Sequence, residues 1–99
     1  MQILSWNSCG LGFAKKRRII SKLIRDFDIE VCFLFETKLQ SYPDILVFQL
    51  WNVNNVSWLD NEAEGTRRGI LAMCDNSKFA VSSVEYGHGW IGLYLGRMS

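Results

Sequence analysis

The sequence is poor in the residues that hold small secreted domains or structural zinc sites together. It has one histidine, one proline and three cysteines among 99 residues. The cysteines are odd in number, widely spaced and without a CxxC pair, and His88 is the lone histidine, so a disulfide framework and a structural zinc site are both unfavoured. We expect reduced, partly buried thiols in an intracellular protein. The three are Cys9, Cys32 and Cys74.

Long apolar runs and a strong net charge are also missing. No run reaches the roughly 18 residues that a membrane span needs, and no basic stretch followed by an apolar one marks a secretory signal. The net charge of +1 points to no strongly acidic or basic partner, while 48% hydrophobic and 13% aromatic residues argue against disorder. These limits predict a soluble protein without a membrane partner, comprising one small domain or part of a larger one.

The first third of the chain alternates between strand and helix patterns. Residues 1–6 form a short apolar segment that ends in a loop containing Gly10 and Gly12. Residues 14–27 have helical periodicity, and residues 31–35 form a continuous apolar run typical of a strand buried on both faces. This order predicts an α/β fold that opens with a strand, a helix and a second strand parallel to the first. The predicted apolar stripe of the helix is Ile19, Ile20, Leu23, Ile24 and Phe27.

The remaining segments predict further strands. Residues 41–44 carry a turn signal, residues 45–56 fit a short helix leading into a strand through Trp51 and Val53, and residues 60–65 resemble an acidic loop. Residues 69–74 predict a third core strand. Residues 79–84 and 90–95 alternate in polarity and predict a hairpin.

Two polar residues directly follow predicted strands. Asn7 follows the first strand and Glu36 follows the second. If these strands are parallel neighbours, both side chains emerge at the same edge of the sheet, within hydrogen-bonding range. A carboxylate held by an amide is a suitable Mg²⁺ ligand, with room for water and a substrate phosphate. The structural alternative is that Glu36 is an exposed acid capping a turn and Asn7 is a loop-forming residue.

Basic residues are clustered although the chain is nearly neutral. One run covers the start of the predicted helix, where the helix dipole disfavours cations, and a second precedes the third core strand. Such patches can contact phosphates, or they can be a solvated helix start and a turn. The two runs are Lys15, Lys16, Arg17 and Arg18, and Arg67 and Arg68.

Taken together, four segments resemble the opening of the endonuclease/exonuclease/phosphatase superfamily. They are ILSWNSCGLG, a basic amphipathic helix, VCFLFETK and GTRRGILAMCD, in the family's order and at plausible spacing across nearly all of residues 1–99. The nearest resemblance is to the endonuclease domains of plant non-long-terminal-repeat retrotransposons, which are relatives of the apurinic/apyrimidinic endonucleases. The resemblance implies that residues 1–99 are an N-terminal fragment of such a domain, a partial two-sheet α/β sandwich.

The resemblance also implies an activity and its residues. The family is made up of Mg²⁺-dependent phosphodiesterases, and its metal-site Asn and Glu correspond to Asn7 and Glu36. DNA is the implied partner, with Trp90 and the two basic runs as candidate contacts. Trp90 would stack or wedge against DNA, or it would belong to the core as the first residue of a strand.

The chain departs from the family pattern in three ways. Phe35 stands where a polar or small residue is frequent, and Arg68 replaces one glycine of the glycine-rich segment. The later Asp/Asn and Asp-His motifs are missing, and His88 precedes a strand instead of following the last one. We therefore expect little nuclease activity and self-association through an exposed sheet face. The alternatives are a small nucleic-acid-binding or interaction protein that reuses the half-fold, and a phosphatase-like relative.

Overall fold

Two β-sheets and two helices make up the structure, a computed structural model that describes residues 2–39, 41–51, 55–61, 69–87 and 90–97. The protein is α/β, with a four-stranded mixed sheet and a two-stranded antiparallel sheet. In chain order the elements are β1 (Ile3–Asn7), α1 (Ala14–Asp26), β2 (Val31–Phe35), α2 (Asp44–Trp51), β3 (Val56–Asn61), β4 (Ile70–Asp75), β5 (Phe79–Gly87) and β6 (Trp90–Arg97).

The four-stranded sheet has the order β1-β2-β4-β3. Strands β1 and β2 are parallel, as predicted, while β4 is antiparallel to both β2 and β3. The carboxyl ends of β1, β2 and β3 therefore meet the start of β4 at one edge of the sheet. We call this the strand-end edge, and its last paired row is Asn7, Phe35, Ile70 and Asn61.

One face of this sheet is covered by the two helices. Alternate residues of each strand point to the same face, and on this face they form the main core with both helices. Each fully buried aliphatic side chain there contributes about 1.5–3 kcal/mol. The core includes Cys32 and Leu34 from β2, Leu71 and Met73 from β4, Ile20 and Ile24 from α1, and Val47 and Leu50 from α2.

The opposite face is covered unevenly. Strand β6 of the hairpin contacts β3 and β4, and Ile70, Ala72 and Cys74 of β4 are buried. On the β1 and β2 side, Ile3 is 55% exposed and Phe35 is 37% exposed. An apolar surface is therefore open on the half of this face that the hairpin leaves uncovered.

The C-terminus of α1 is stabilised by a Schellman motif. The N–H of Ile29 donates to the carbonyl of Ile24 at 2.9 Å, and the N–H of Asp28 donates to that of Arg25 at 3.3 Å. Asp28 takes the left-handed conformation, with φ +51°, at the position where glycine is the usual residue. Buried Ile24 and Ile29 supply the apolar contact of the motif.

Comparison with the predicted elements gives several confirmations. The first strand, the first helix, the strand at 31–35, the core strand and the hairpin are all present at or within a few residues of the predicted bounds. The predicted helical stripe is too wide, because Ile19 is 44% exposed and Phe27 is 64% exposed. Phe27 is the C-cap of α1, so its side chain leaves the helical register.

The prediction of an acidic loop at residues 60–65 is wrong for its first two residues. Asp60 and Asn61 belong to β3 and pair with Leu71 and Ile70 of β4, because pairing with a neighbouring strand overrides weak local propensity. Residues 62–65 and Val53 lie outside the described residues, and Trp51 belongs to α2. No helix within the described ranges is both long and apolar enough to cross a membrane.

Candidate functional site

The segments that follow β1 and β2 continue the parallel pairing beyond the strands. Three backbone hydrogen bonds, which we call the loop pairing, fix these two segments to each other. Gly10 lies in this pairing with φ +102°, a conformation that glycine adopts without steric cost. The three bonds run from Ser8 N–H to the Phe35 carbonyl at 2.8 Å, from Gly10 N–H to the Glu36 carbonyl at 2.7 Å, and from Leu11 N–H to the Thr37 carbonyl at 2.9 Å.

Asn7 is the last residue of β1, and its side chain is exposed. Its Oδ1 accepts hydrogen bonds from the backbone N–H of Cys9 at 3.1 Å and from Cys9 Sγ at 3.4 Å. Such a side-chain contact two residues ahead is an Asx turn, which favours the tight change of direction that follows. Cys9 itself has φ +50°. Asn7 therefore shapes the loop, and within the described part of the chain its Nδ2 has no partner.

Glu36 is the first residue after β2 and is half-buried. Its φ of +53° lies in the left-handed region, which costs a non-glycine residue roughly 1–2 kcal/mol. Its backbone carbonyl accepts from Gly10 N–H and from Ser8 Oγ at 3.3 Å. Its carboxylate makes no hydrogen bond or ion pair with any described residue. A carboxylate without a protein partner among the described residues therefore lies at the strand-end edge, on a strained backbone.

The surroundings of Glu36 explain how the strained conformation is maintained. The next residue, Thr37, is fully buried, and its hydroxyl shares a hydrogen bond with Tyr42 Oη. Its N–H donates to the Gly69 carbonyl at 3.2 Å, which ties the segment to the start of β4. Lys38 then has φ +59°. Two left-handed residues thus flank one buried anchor, a pattern of stored strain that often accompanies functional sites.

Asn7 and Glu36 lie at the same edge, as the parallel pairing predicts, since Asn7 pairs with Phe35. No hydrogen bond joins their side chains, both of which are described. The predicted hydrogen bond is therefore not formed: Asn7 Oδ1 accepts from Cys9, and Nδ2, the only atom of this side chain that could donate to the carboxylate, makes no hydrogen bond with it. The structure brings the two residues to one edge without making them a hydrogen-bonded pair.

The four cations of the basic run at the start of α1 fall into two pairs that differ in their contacts. Lys16 Nζ donates to the Ser8 carbonyl at 2.5 Å and to the Cys9 carbonyl at 3.4 Å. Arg17 Nη1 donates to the Leu11 carbonyl at 2.8 Å. These cations hold the loop beside Asn7, which explains their place in a first turn where the dipole disfavours them. Lys15 and Arg18 are exposed and make no polar contact with the rest of the described chain.

The positions of the remaining candidate residues say little about the site. Trp90 is 49% exposed at the start of β6, so the interpretation of Trp90 as a core residue is wrong. Arg67, Arg68 and His88 lie outside the described residues.

Sequence reasoning missed Asp60 and Asn61, which β3 carries to the strand-end edge. The segment VSWLDN begins with an apolar residue and ends in two polar residues, but these two belong to the strand only because they pair with β4. Asn61 is separated from Asn7 by three strand spacings, roughly 14 Å, so it lies far from the Asn7 and Glu36 end of the edge.

Hard oxygen donors are the metal-ligating groups that this edge offers. The Glu36 carboxylate suits Mg²⁺, which is commonly bound through one or two carboxylates, water and substrate phosphate. Within the described ranges, no group of three or more His, Cys, Asp or Glu side chains is placed to hold a metal ion. The donor chemistry of Glu36 therefore fits Mg²⁺, and the described residues would supply only part of a coordination shell.

The thiols do not contribute to this site as ionised ligands. Burial raises the pKa of Cys32 to about 12. Burial, together with the charge of Asp75, raises the pKa of Cys74. Both thiols stay protonated at neutral pH, while Cys9 is exposed.

No protein-family model matches the chain, and no curated protein is detectably similar to it in sequence.

Proposed function

We propose that the chain is the first part of a Mg²⁺-dependent DNA phosphodiesterase domain of the endonuclease/exonuclease/phosphatase type, as in plant non-long-terminal-repeat retrotransposons. Glu36 is the metal ligand in this proposal. Asn7 contacts the substrate phosphate through its Nδ2, or uses Nδ2 to orient the coordination sphere of the metal. The observation that carries the proposal is the Glu36 carboxylate, which has no partner in the described chain although its backbone is strained, φ +53°.

The strain supports a role for this carboxylate beyond stability. A glycine would adopt the same φ without the steric cost, and a glutamate here gains no ion pair or hydrogen bond from the described residues. Its neighbours nevertheless fix the backbone from two sides, through Gly10 and Ser8 on the carbonyl and through buried Thr37. A carboxylate without a protein partner among the described residues, on a backbone that its neighbours hold in place, is available to a metal ion.

The residues around Glu36 have positioning roles in this proposal. The loop pairing sets the separation of the segments that carry Asn7 and Glu36. Lys16 and Arg17 fix the outer side of the same loop through the Ser8, Cys9 and Leu11 carbonyls. When bound, Mg²⁺ would supply charge neutralisation at the phosphate, and phosphodiester hydrolysis also requires activation of water.

We propose further that the chain by itself binds Mg²⁺ weakly and does not cleave DNA at an appreciable rate. In the resembled family, the groups that position water and act near the scissile phosphate come from an Asp/Asn pair and an Asp-His pair, and this sequence contains neither motif. A plasmid-nicking assay in Mg²⁺ measures this directly. Nicking by the wild type that persists in Glu36→Gln would contradict both the assigned ligand and the expected inactivity.

The metal assignment is tested by a Mg²⁺ titration followed by NMR on wild type, Glu36→Gln and Glu85→Gln. Glu85 is an exposed carboxylate in the hairpin and serves as the matched control. We expect amide shifts at residues 35–38 and at the Asn7 side chain in wild type and Glu85→Gln. The same shifts should vanish in Glu36→Gln, and identical responses in wild type and Glu36→Gln would exclude Glu36 as the ligand.

A second candidate function is a small nucleic-acid-binding protein that reuses the half-fold. The observation that favours it is the pair of exposed cations Lys15 and Arg18, which no described residue neutralises. Salt-dependent DNA binding that is lost in Lys15→Ala/Arg18→Ala, together with no response to Mg²⁺, would support this candidate over the first. Binding of a small phosphorylated ligand instead of DNA would favour a phosphatase-like relative.

A further inference from the structure

A cleft between the two helices carries a concentration of positive charge outside the strand-end edge. The cleft encloses about 550 Å³ and is formed by the polar face of α1 and by Gln49 of α2. Four of its lining residues are cations and the others are small or polar. The cations are Arg17, Arg18, Lys22 and Arg25, and the others are Ala14, Ser21 and Gln49.

The spacing of the cations follows the helix surface. Arg17, Ser21 and Arg25 are four residues apart and form one row, while Arg18 and Lys22 form the adjacent row. From Arg17 to Arg25 the rows extend about 12 Å along the helix axis. Arg17 also contacts the Leu11 carbonyl, so the cleft begins near the loop that carries Asn7 and leads away from it.

The charge of the cleft is only partly neutralised within the described chain. Asp26 pairs with Lys22 and lies 3.7 Å from Arg25 Nε. Arg18 has no partner there, and like charges one turn apart cost about 0.2–0.5 kcal/mol per pair. Four cations next to one carboxylate therefore leave an excess of positive charge on this face of α1, which an anionic ligand would neutralise.

We propose that this cleft binds the phosphodiester backbone of a nucleic acid. Arginine guanidinium groups donate paired hydrogen bonds to phosphate oxygens, and serine and glutamine side chains are frequent additional phosphate contacts. A docking site for an acidic protein segment usually has aromatic or aliphatic anchors at its centre. No described residue that lines the cleft is of that kind, so the backbone of a nucleic acid is the better match.

The test compares two doubly substituted chains with the same change in net charge. Arg18→Gln/Arg25→Gln removes two cleft cations and leaves the Lys22–Asp26 pair and the Arg17 contact intact. Lys78→Gln/Arg97→Gln removes two exposed cations outside the cleft. Fluorescence anisotropy of a labelled DNA duplex, measured from low to physiological salt, gives the slope of log K against log salt for each. Circular dichroism confirms that each chain is folded.

Each lost phosphate contact changes that slope by about 0.9 for duplex DNA. We therefore expect the cleft variant to lose about 1.8 from the magnitude of the slope, and the control variant to stay close to wild type. The single variant Arg25→Gln should lose about 0.9, and it separates the cleft from the start of α1, since Arg25 lies in the last turn.

Three results would overturn the proposal. They are the absence of DNA binding by the wild type, an equal loss in the cleft and control variants, and binding of polyglutamate as tight as that of DNA with the same slope. The proposal does not rest on the metal site, because Glu36→Gln should bind DNA like wild type whatever the Mg²⁺ titration shows.

Discussion

Replacing Glu36 by glycine should raise the stability of the protein while removing the proposed metal ligand. The residue has φ +53°, and for a residue with a β-carbon this conformation costs roughly 1–2 kcal/mol. Glycine avoids that cost but increases the conformational entropy of the unfolded chain, which offsets about 0.4–1 kcal/mol. The net expectation is a gain of about 0.5–1 kcal/mol in the free energy of unfolding.

Lys38→Gly provides the matched control, since Lys38 has φ +59° two residues further along. Both glycine variants should be more stable than wild type, whereas Glu36→Gln, which keeps the β-carbon, should have nearly wild-type stability. Only the two substitutions at residue 36 should abolish the response to Mg²⁺. Comparison of Glu36→Gly with Glu36→Gln thereby separates the effect of residue 36 on stability from its effect on metal binding.

Urea unfolding followed by circular dichroism measures the free-energy differences, and a thermal melt gives a second estimate. For a domain of this size, 1 kcal/mol corresponds to a shift of about 4–8 °C in Tm. A Glu36→Gly variant that is less stable than Glu36→Gln would refute the reasoning, because the left-handed backbone would then not be a source of strain. A gain in Lys38→Gly alone would show that the Glu36 carboxylate contributes stability that its contacts do not reveal.

Further predictions concern the helix terminus, a buried thiol and the open sheet face. Asp28→Gly at the Schellman position should stabilise the protein by about 0.5 kcal/mol, less than Glu36→Gly because aspartate tolerates the left-handed region better; urea unfolding measures the difference. Because burial raises the folded-state pKa of Cys32 from 9.0 to about 12, the contribution of this thiol to stability should be constant below pH 9. It should then fall by up to about 1.4 kcal/mol per pH unit between pH 9 and pH 12, and a weaker fall in Cys32→Ala checks the assignment. Phe35→Lys on the open face should weaken the expected self-association by roughly threefold to sixfold, because Phe35 is 37% exposed and only that fraction of the about 1.5–3 kcal/mol of a buried phenylalanine is gained on association. Analytical ultracentrifugation that finds equal association in both proteins would place the contact elsewhere.

Much of the fold could be predicted because local patterns and pairing agreed. The apolar run at residues 31–35 and the helical periodicity before it indicated a strand-helix-strand unit in which a parallel pair was possible, and β1 and β2 are paired in parallel. The end of β3 could not be predicted, because Asp60 and Asn61 have little strand propensity and are held by pairing with β4. The exposure of Ile19 likewise depends on where α2 and the sheet contact α1.

The candidate site was predictable at the level of the sheet and not at the level of side chains. Parallel pairing alone brings Asn7 and Glu36 to one edge. The contact of Asn7 with Cys9 is a local Asx turn, for which asparagine is a typical residue. The left-handed backbone of Glu36 and the tethering by Lys16 have no local sequence signal, because both depend on the tertiary position of the two loop segments.

The loop pairing has a consequence for how long the strand-end edge stays assembled. Among the described strands, β1 pairs with β2 alone, so it can detach while the remaining strands stay paired, and Asn7 would move away from Glu36 with it. Leu11 is fully buried in the core, so the hydrogen bond from its amide to Thr37 should break last. The amide exchange rate of Gly10, divided by its intrinsic rate, would therefore report the fraction of time for which the edge is open, and Leu11 should exchange more slowly. This fraction is set by the local unfolding free energy and not by the average geometry.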